Sequence, residues 1–378
     1  MSDSKIIYID NNQNLAKAAE HWLTLDRIAL DSEFMRVDTF YPKLALIQIN
    51  DGSNLYLIDP LNISDWQGLK DVFSNQAILK ILHSPSEDID VFFYALGVVP
   101  SPMFDTQLAA SIASLGGIMS YQKLVKLLLD VDLDKGETRS DWLKRPLTDS
   151  QLHYAAEDVN YLLDMTDTLT EKLNTLGRLE WLSDDCAQVL IDWQASQAKG
   201  YSLERLKKAW MLKHHQLNVL NQLIIWRESR CKEVNIPRGH LIKDDILMEL
   251  ATRLPQSIEQ LSTFKGLRHN TLRKEGKSII DLIQSCKDMD QALWPERMNR
   301  PLSQTASDWL KKMRVTVNSV AEQLNVPPEL LARKKNLEFL LRQGFPNGPF
   351  DLPLSLKGWR TTIIGEPLVA TLKKLSGK

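Results

Sequence analysis

Two hydrophobic periods alternate along residues 5–96, and this alternation limits the fold more than any other feature of the chain. Lys5–Ile9, Ile28–Phe34, Leu44–Ile49, Asn54–Ile58 and Ile78–Leu82 are short apolar or β-branched runs of strand length. Asn12–Leu25, Ser64–Phe73 and Ser86–Leu96 instead carry apolar residues at helical spacing. Ser86 is placed to cap the third helix, with Glu87 and Asp88 in its first turn. Three of the strand runs follow one another through short turns such as Asn50-Asp51-Gly52-Ser53, which predicts an antiparallel meander leading into a helix–strand–helix section. The expected class is α/β, a mixed sheet flanked by helices. From 105 to about 175 the pattern is helical and closes with one long helix from Asp149 to Leu173.

Beyond residue 200 strand-like runs vanish, and 378 residues exceed one ordinary domain. Linkers are expected near 195–205 and 293–303, the second around Trp294-Pro295 and Arg300-Pro301. An internal repeat marks the helical part. Asn235-Ile236-Pro237 followed by Leu241, Ile242, Leu247 and Leu250 recurs as Asn325-Val326-Pro327 followed by Leu331, Ala332, Leu337 and Leu340. Lys265-Gly266-Leu267-Arg268 is echoed by Lys357-Gly358-Trp359-Arg360. The predicted division is 1–200, then two all-helical modules at 205–293 and 300–378.

The formal net charge of −2 conceals a division of labour. Residues 1–200 hold 16 Lys and Arg against 30 Asp and Glu, whereas residues 201–378 hold 30 against 18. A basic half beside an acidic one suits a polyanionic partner. Exposed-looking clusters at Lys207, Lys208 and Lys213, at Arg268, Arg273, Lys274 and Lys277, and at Arg333, Lys334 and Lys335 are candidates for phosphate contact. No run is long and apolar enough for a membrane span, and Met1–Asp10 does not resemble a secretory signal. Cys186, Cys231 and Cys286 are odd in number and far apart, which argues against a disulfide framework or a zinc site and fits a reducing cytoplasm.

Four carboxylates stand apart from the solvated majority. Asp31 and Glu33 interrupt an apolar strand run at i and i+2, so they share one face, where they repel unless a cation compensates. Hard divalent ions favour such oxygen donors. Asp88 begins a helix just after a strand, and Tyr154 and Asp158, four residues apart on a helix, are about 40° apart around its axis.

Together, Asp-x-Glu on a strand, the later Asp and the Tyr-x3-Asp helix resemble the DEDD exonuclease superfamily, in its tyrosine subtype. The segments ALDSEFMR, ILHSPSEDIDVF, FDTQLAA, SDWLKRPL and QLHYAAEDVNYL resemble the ribonuclease D family, and the helical repeats look like its tandem HRDC domains, the second more degenerate. The resemblance implies a ribonuclease H-like fold in which Asp31, Glu33, Asp88 and Asp158 hold two Mg²⁺ or Mn²⁺ ions, Asp31 bridging them. By the same resemblance Tyr154 orients the attacking water. A sister subclass uses a His five residues before the last Asp; His153 has that spacing but lies about 140° from Asp158 on a continuous helix. Phe34 and Met35 are expected to flank the terminal base, and Arg139, Lys144 and Arg145 to meet the nucleic-acid backbone. The implied activity is a 3′–5′ exoribonuclease releasing nucleoside 5′-monophosphates from single-stranded 3′ ends of structured RNAs such as transfer-RNA precursors. A monomer without small-molecule cofactor or membrane attachment is expected. A DNA exonuclease and a non-catalytic nucleic-acid adaptor are the alternatives.

Overall fold

Strand pairing converts the apolar runs into one six-stranded sheet in the computed structural model, which describes residues 5–133, 136–137 and 140–377. The strands are β1 (Lys5–Ile9), β2 (Arg27–Met35), β3 (Lys43–Asn50), β4 (Asn54–Ile58), β5 (Leu79–Leu82) and β6 (Met103–Asp105), in spatial order β1-β4-β3-β2-β5-β6. β1 is parallel to β4, β2 to β5 and β5 to β6, whereas β3 is antiparallel to β4. The sheet is therefore mixed. At three residues, β6 is too short to show a period in the sequence. β2 is internal, with Ile28, Ala29 and Leu30 fully buried, so both its edges are paired before the chain reaches Asp31.

Among the described residues, eight α-helices belong to this part: α1 (Asn12–Trp22), α2 (Gln67–Ser74), α3 (Ser86–Leu96), α4 (Thr106–Ile112), α5 (Tyr121–Leu129), α6 (Asp149–Asn160), α7 (Leu162–Thr175) and α8 (Leu179–Lys199). Buried residues of α4 to α8, including Ala109, Leu124, Ala155, Ala156, Leu169 and Leu182, close over Ala29, Leu57 and Ile81 of the sheet. The predicted cap at Ser86 is not made. Pro85, at φ −75°, already opens α3, and no side chain caps it. Ser84 instead adopts a left-handed φ of 58° and donates its amide to Asp105 Oδ1 at 2.9 Å, which fixes how the chain enters α3.

The single helix predicted from Asp149 to Leu173 is two. Tyr161, at φ −102° and ψ 0°, separates α6 from α7, although no glycine or proline marks the place. The cause is the Tyr121 hydroxyl, which donates to Glu157 O at 2.7 Å and accepts from the Tyr161 amide at 3.3 Å. These two backbone groups would bond each other in an uninterrupted helix, so a side chain has entered the ladder.

The chain forms two compact units, Met1–Met35 with Leu44–Leu190 and Leu302–Lys378, and Arg36–Lys43 with Ile191–Pro301. The expected linker at 195–205 begins inside a helix, since α8 continues to Lys199. The second unit contains α9 (His214–Glu233), α10 (Arg238–Leu241), α11 (Asp244–Arg253), α12 (Ile258–Ser262) and α13 (His269–Ser285) around Leu220, Leu223, Leu247, Leu250 and Ile279. Phe40 joins this core, and Asn235 Oδ1 accepts the amides of Phe40 and Tyr41 at 3.0 and 3.2 Å.

The carboxy-terminal module, α14 (Gln304–Leu324), α15 (Pro328–Leu331), α16 (Lys334–Gly344) and α17 (Glu366–Leu375), repeats the α9-α10-α11 order. Asn235 and Asn325 both take left-handed backbone, at φ 49° and 52°, before a four-residue helix. This module packs within the first unit through the repeated Lys-Gly-x-Arg motif. The Trp359 ring stacks on Trp181 at 4.2 Å with an interplanar angle of 4°, and Arg360 binds Asp185 through both carboxylate oxygens at 2.5 and 2.7 Å. No described helix is long and apolar enough to cross a membrane. Removing Arg360 leaves the Asp185 carboxylate, 10% exposed, without its cation. Arg360→Ala is expected to cost roughly 3 kcal/mol in denaturant unfolding of the full chain. A loss below about 0.5 kcal/mol, the level of an exposed pair, would contradict this.

Candidate active site

An internal strand and the last turns of α6 converge on one acidic cluster. β2 projects Asp31 and Glu33 from one face, and α6 supplies Asp158. Ligand oxygens of these three residues lie within 4.8 Å of one another. Asp88, in the first turn of α3, stands outside that triplet. It is 7% exposed and accepts a 2.5 Å hydrogen bond from the Ser32 hydroxyl. Crowding and burial both oppose ionisation. Burial, then the charges of Asp88, Asp158 and Glu33, hold the Asp31 carboxyl well above its ordinary range. Burial, then Asp158 and Asp88, pushes Glu33 up to about 9. Burial raises Asp158 to about 7, partly offset by a hydrogen bond from Tyr154, and raises Asp88 to about 6 against the Ser32 hydrogen bond. Close, half-buried and oxygen-only, the donor set suits a hard divalent cation, whose charge would relieve the repulsion that raises these values.

Tyr154 stands on the same face of α6 as Asp158. Burial, then the charges of Asp158, Glu33 and Asp31, holds its phenol far above the ordinary range. Its ring leans on Trp142 at 6.1 Å. His153 is exposed, as expected for a residue one step off that face. Phe34 and Met35 are half-buried at the end of β2, and Lys144 is exposed on the turn before α6. Arg139 lies outside the described residues.

Arg145 does not have the free guanidinium expected of a backbone-binding residue. Its Nε and Nη2 hold the Asp59 carboxylate at 2.5 and 2.9 Å, Nη2 also donates to Ala45 O, and Nη1 donates to Trp142 O at 2.7 Å. Arg145 thus fastens the turn that supports Trp142 under Tyr154. Asp59 also accepts from Tyr8, and these contacts hold its carboxyl below the ordinary range despite burial. Ser32, Trp142 and Asp59 also shape the site and were not among the residues expected from the sequence. The readable signal for Ser32 was a small hydroxyl residue between two carboxylates in a buried strand; Asp59 is distant in sequence from everything it serves. The ten basic residues singled out for phosphate contact are exposed.

Because these carboxyls retain protons in the fold at pH values where the unfolded chain has lost them, the stability involved is present below about pH 4 and declines as pH rises to about 9. A bound divalent cation counters that decline by replacing the protons. The gain in Tm from saturating Mn²⁺ is therefore expected to grow between about pH 5 and about pH 8. Thermal unfolding with and without Mn²⁺ checks this, and a gain independent of pH would contradict it.

Comparison with known proteins identifies the domains that carry this cluster. The family description 3′–5′ exonuclease matches residues 6–174, HRDC domain matches 216–283, and ribonuclease D C-terminal HRDC domain matches 307–368. Ribonuclease D of Pseudomonas paraeruginosa is 40% identical over 369 residues, covering 98% of each chain. The crystal structure of Escherichia coli RNase D, described as an exoribonuclease involved in structured RNA processing, superposes with a TM-score of 0.89 at 30% identity, over 98% of this chain and 99% of that one. The catalytic core of RRP6 from Trypanosoma brucei shares the fold, with a TM-score of 0.57 at 20% identity over 76% of this chain and 81% of that one. With its acidic cluster set on an exonuclease fold and two HRDC modules following in the sequence, the chain belongs to the ribonuclease D family of 3′–5′ exoribonucleases.

Proposed function

We propose that Asp31, Glu33, Asp88 and Asp158 hold two divalent ions, Mg²⁺ or Mn²⁺, at the 3′ end of a single RNA strand. The substrates are structured RNAs with single-stranded 3′ tails, transfer-RNA precursors among them, and the products are nucleoside 5′-monophosphates. The observation that carries this reading is the approach of three half-buried carboxylates within 4.8 Å of one another. When bound, such ions neutralise charge at the scissile phosphate and make water a better nucleophile.

The protein groups divide the remaining work. Tyr154 keeps its proton across the working range and so orients the attacking water through its hydroxyl rather than removing a proton. Phe34 and Met35 flank the terminal base, where stacking tolerates any sequence. Residues 1–200 form the exonuclease domain. The module at 205–293 grips RNA through Arg268, Arg273, Lys274 and Lys277, all exposed. In the module at 300–378 the corresponding arginine, Arg360, is committed to Asp185, which supports assigning the grip mainly to the first module. The chain acts as a monomer in a reducing cytoplasm; its three buried free thiols support the reducing environment.

A short RNA with a single-stranded 3′ extension, compared with matched DNA in Mg²⁺ or Mn²⁺, tests the chemistry. Stepwise release of 5′-monophosphates from RNA, abolished by Asp31→Asn, is expected. Tyr154→Phe should lower the hydrolysis rate roughly 10²-fold, while His153→Ala changes it little. A large loss from His153→Ala alone would move the water-orienting role to that residue.

Deleting residues 201–378 would strip Trp359 and Arg360 from α8, so point substitutions are the cleaner probe of the grip. Arg268→Ala with Arg273→Ala should reduce the slope of log affinity for single-stranded RNA against log salt by roughly 1.4. An unchanged slope, measured by titration at several salt concentrations, would remove both arginines from the RNA contact.

A further inference from the structure

The helix break beside Asp158 has a cause that the chemistry described so far does not use. Tyr121, the first residue of α5, is 7% exposed. Its hydroxyl stands where one helical hydrogen bond would run, donating to Glu157 O at 2.7 Å and accepting at 3.3 Å from the Tyr161 amide, which also bonds Val159 O. The ring is held in turn. His83 meets it edge-on at 5.7 Å, with one ring nitrogen on Thr106 Oγ1 at 2.9 Å and the other on Met119 O at 3.1 Å. The carbonyls just past Asp158 are also held from outside. Asn50, 5% exposed at the end of β3, donates its amide to Val159 O at 3.0 Å and to Asn160 O at 3.1 Å. Asp158 thus sits between two pinned carbonyls, those of Glu157 and Val159.

This pinning answers a physical problem. Wherever the cluster is ionised without a cation, Asp158 is repelled by Asp31 and Glu33, and a free helix end could turn it away at little cost. The geometry points to Tyr121 as a positioning residue, with Asn50 as its second anchor, whose hydroxyl wedge holds the last turn of α6 so that Asp158 meets the β2 carboxylates before a divalent cation arrives. The inference rests on the proposed metal-binding role of Asp158. Removing the hydroxyl lets Tyr161 N–H and Glu157 C=O bond directly. The backbone then loses little hydrogen bonding overall, while Asp158 loses its aim. Partners that orient metal ligands from behind are worth about 10–100-fold in metal affinity or activity.

The test is calorimetric titration of the full chain with Mn²⁺ alone, beside thermal unfolding of the metal-free protein. Tyr121→Phe is expected to weaken Mn²⁺ binding about tenfold while leaving the metal-free Tm nearly unchanged, and raising the metal concentration should restore most of the hydrolysis rate. Asn50→Ala breaks the second anchor independently and should weaken binding in the same direction; it decides the matter if Tyr121→Phe does not fold. Mn²⁺ affinity within about twofold of the parent in the folded variants would overturn the inference and leave Tyr121 a packing residue. Asp31→Asn separates the two levels. If it binds Mn²⁺ as the parent does, the proposed metal site itself is wrong; if it loses binding while Tyr121→Phe keeps it, only the positioning role is.

Discussion

Three carboxylates that repel one another have to be held in a largely buried place, and much of the architecture follows from that constraint. Burial weakens screening, so the repulsion would disperse mobile side chains. β2 answers it for Asp31 and Glu33. As an internal strand with fully buried residues before them, it keeps two side chains on one face. Asp158 comes from another element, and its helix is interrupted three residues later, where outside hydrogen bonds anchor the backbone. Proton retention by the cluster is the other side of the same arrangement, since a site shaped for cations keeps protons in their absence.

Each remaining chemical group has an anchor of its own. Asp88 is tied by Ser32, and the entry to its helix is fixed by the bond from Ser84 to Asp105. Tyr154 leans on Trp142, whose carbonyl is held by Arg145 and, through it, by Asp59. The carboxy-terminal module adds a stacked tryptophan pair and a two-bonded ion pair to α8. Repetition of sequence therefore does not mean repetition of role. The same motif leaves Arg268 exposed in one module and binds Arg360 to Asp185 in the other.

What could be read from the sequence was local. The pairing of Asp31 with Glu33 follows from strand alternation, and that of Tyr154 with Asp158 from the helical period, because both depend on residues a few positions apart. Contacts across long separations were not legible. Nothing near residue 161 announces a helix break made by a hydroxyl forty positions earlier. Arg145 reads as one more surface cation until Asp59, eighty-six residues away, is seen to hold it. A three-residue edge strand carries no period, and Ser86 loses its cap role because Pro85 opens the helix first. The charge asymmetry at residue 200 did separate an acidic half from a basic one, yet the carboxy-terminal module, basic in composition, packs in the acidic domain's unit.

That these clustered carboxylates form one cation site is the point on which the other roles depend. Anomalous scattering from crystals grown with Mn²⁺ tests it most directly. Metal density touching oxygens of Asp31, Glu33 and Asp158 is expected, with none there in Asp31→Asn crystals. An empty cluster at saturating Mn²⁺, with the metal bound at other acidic residues, would contradict it.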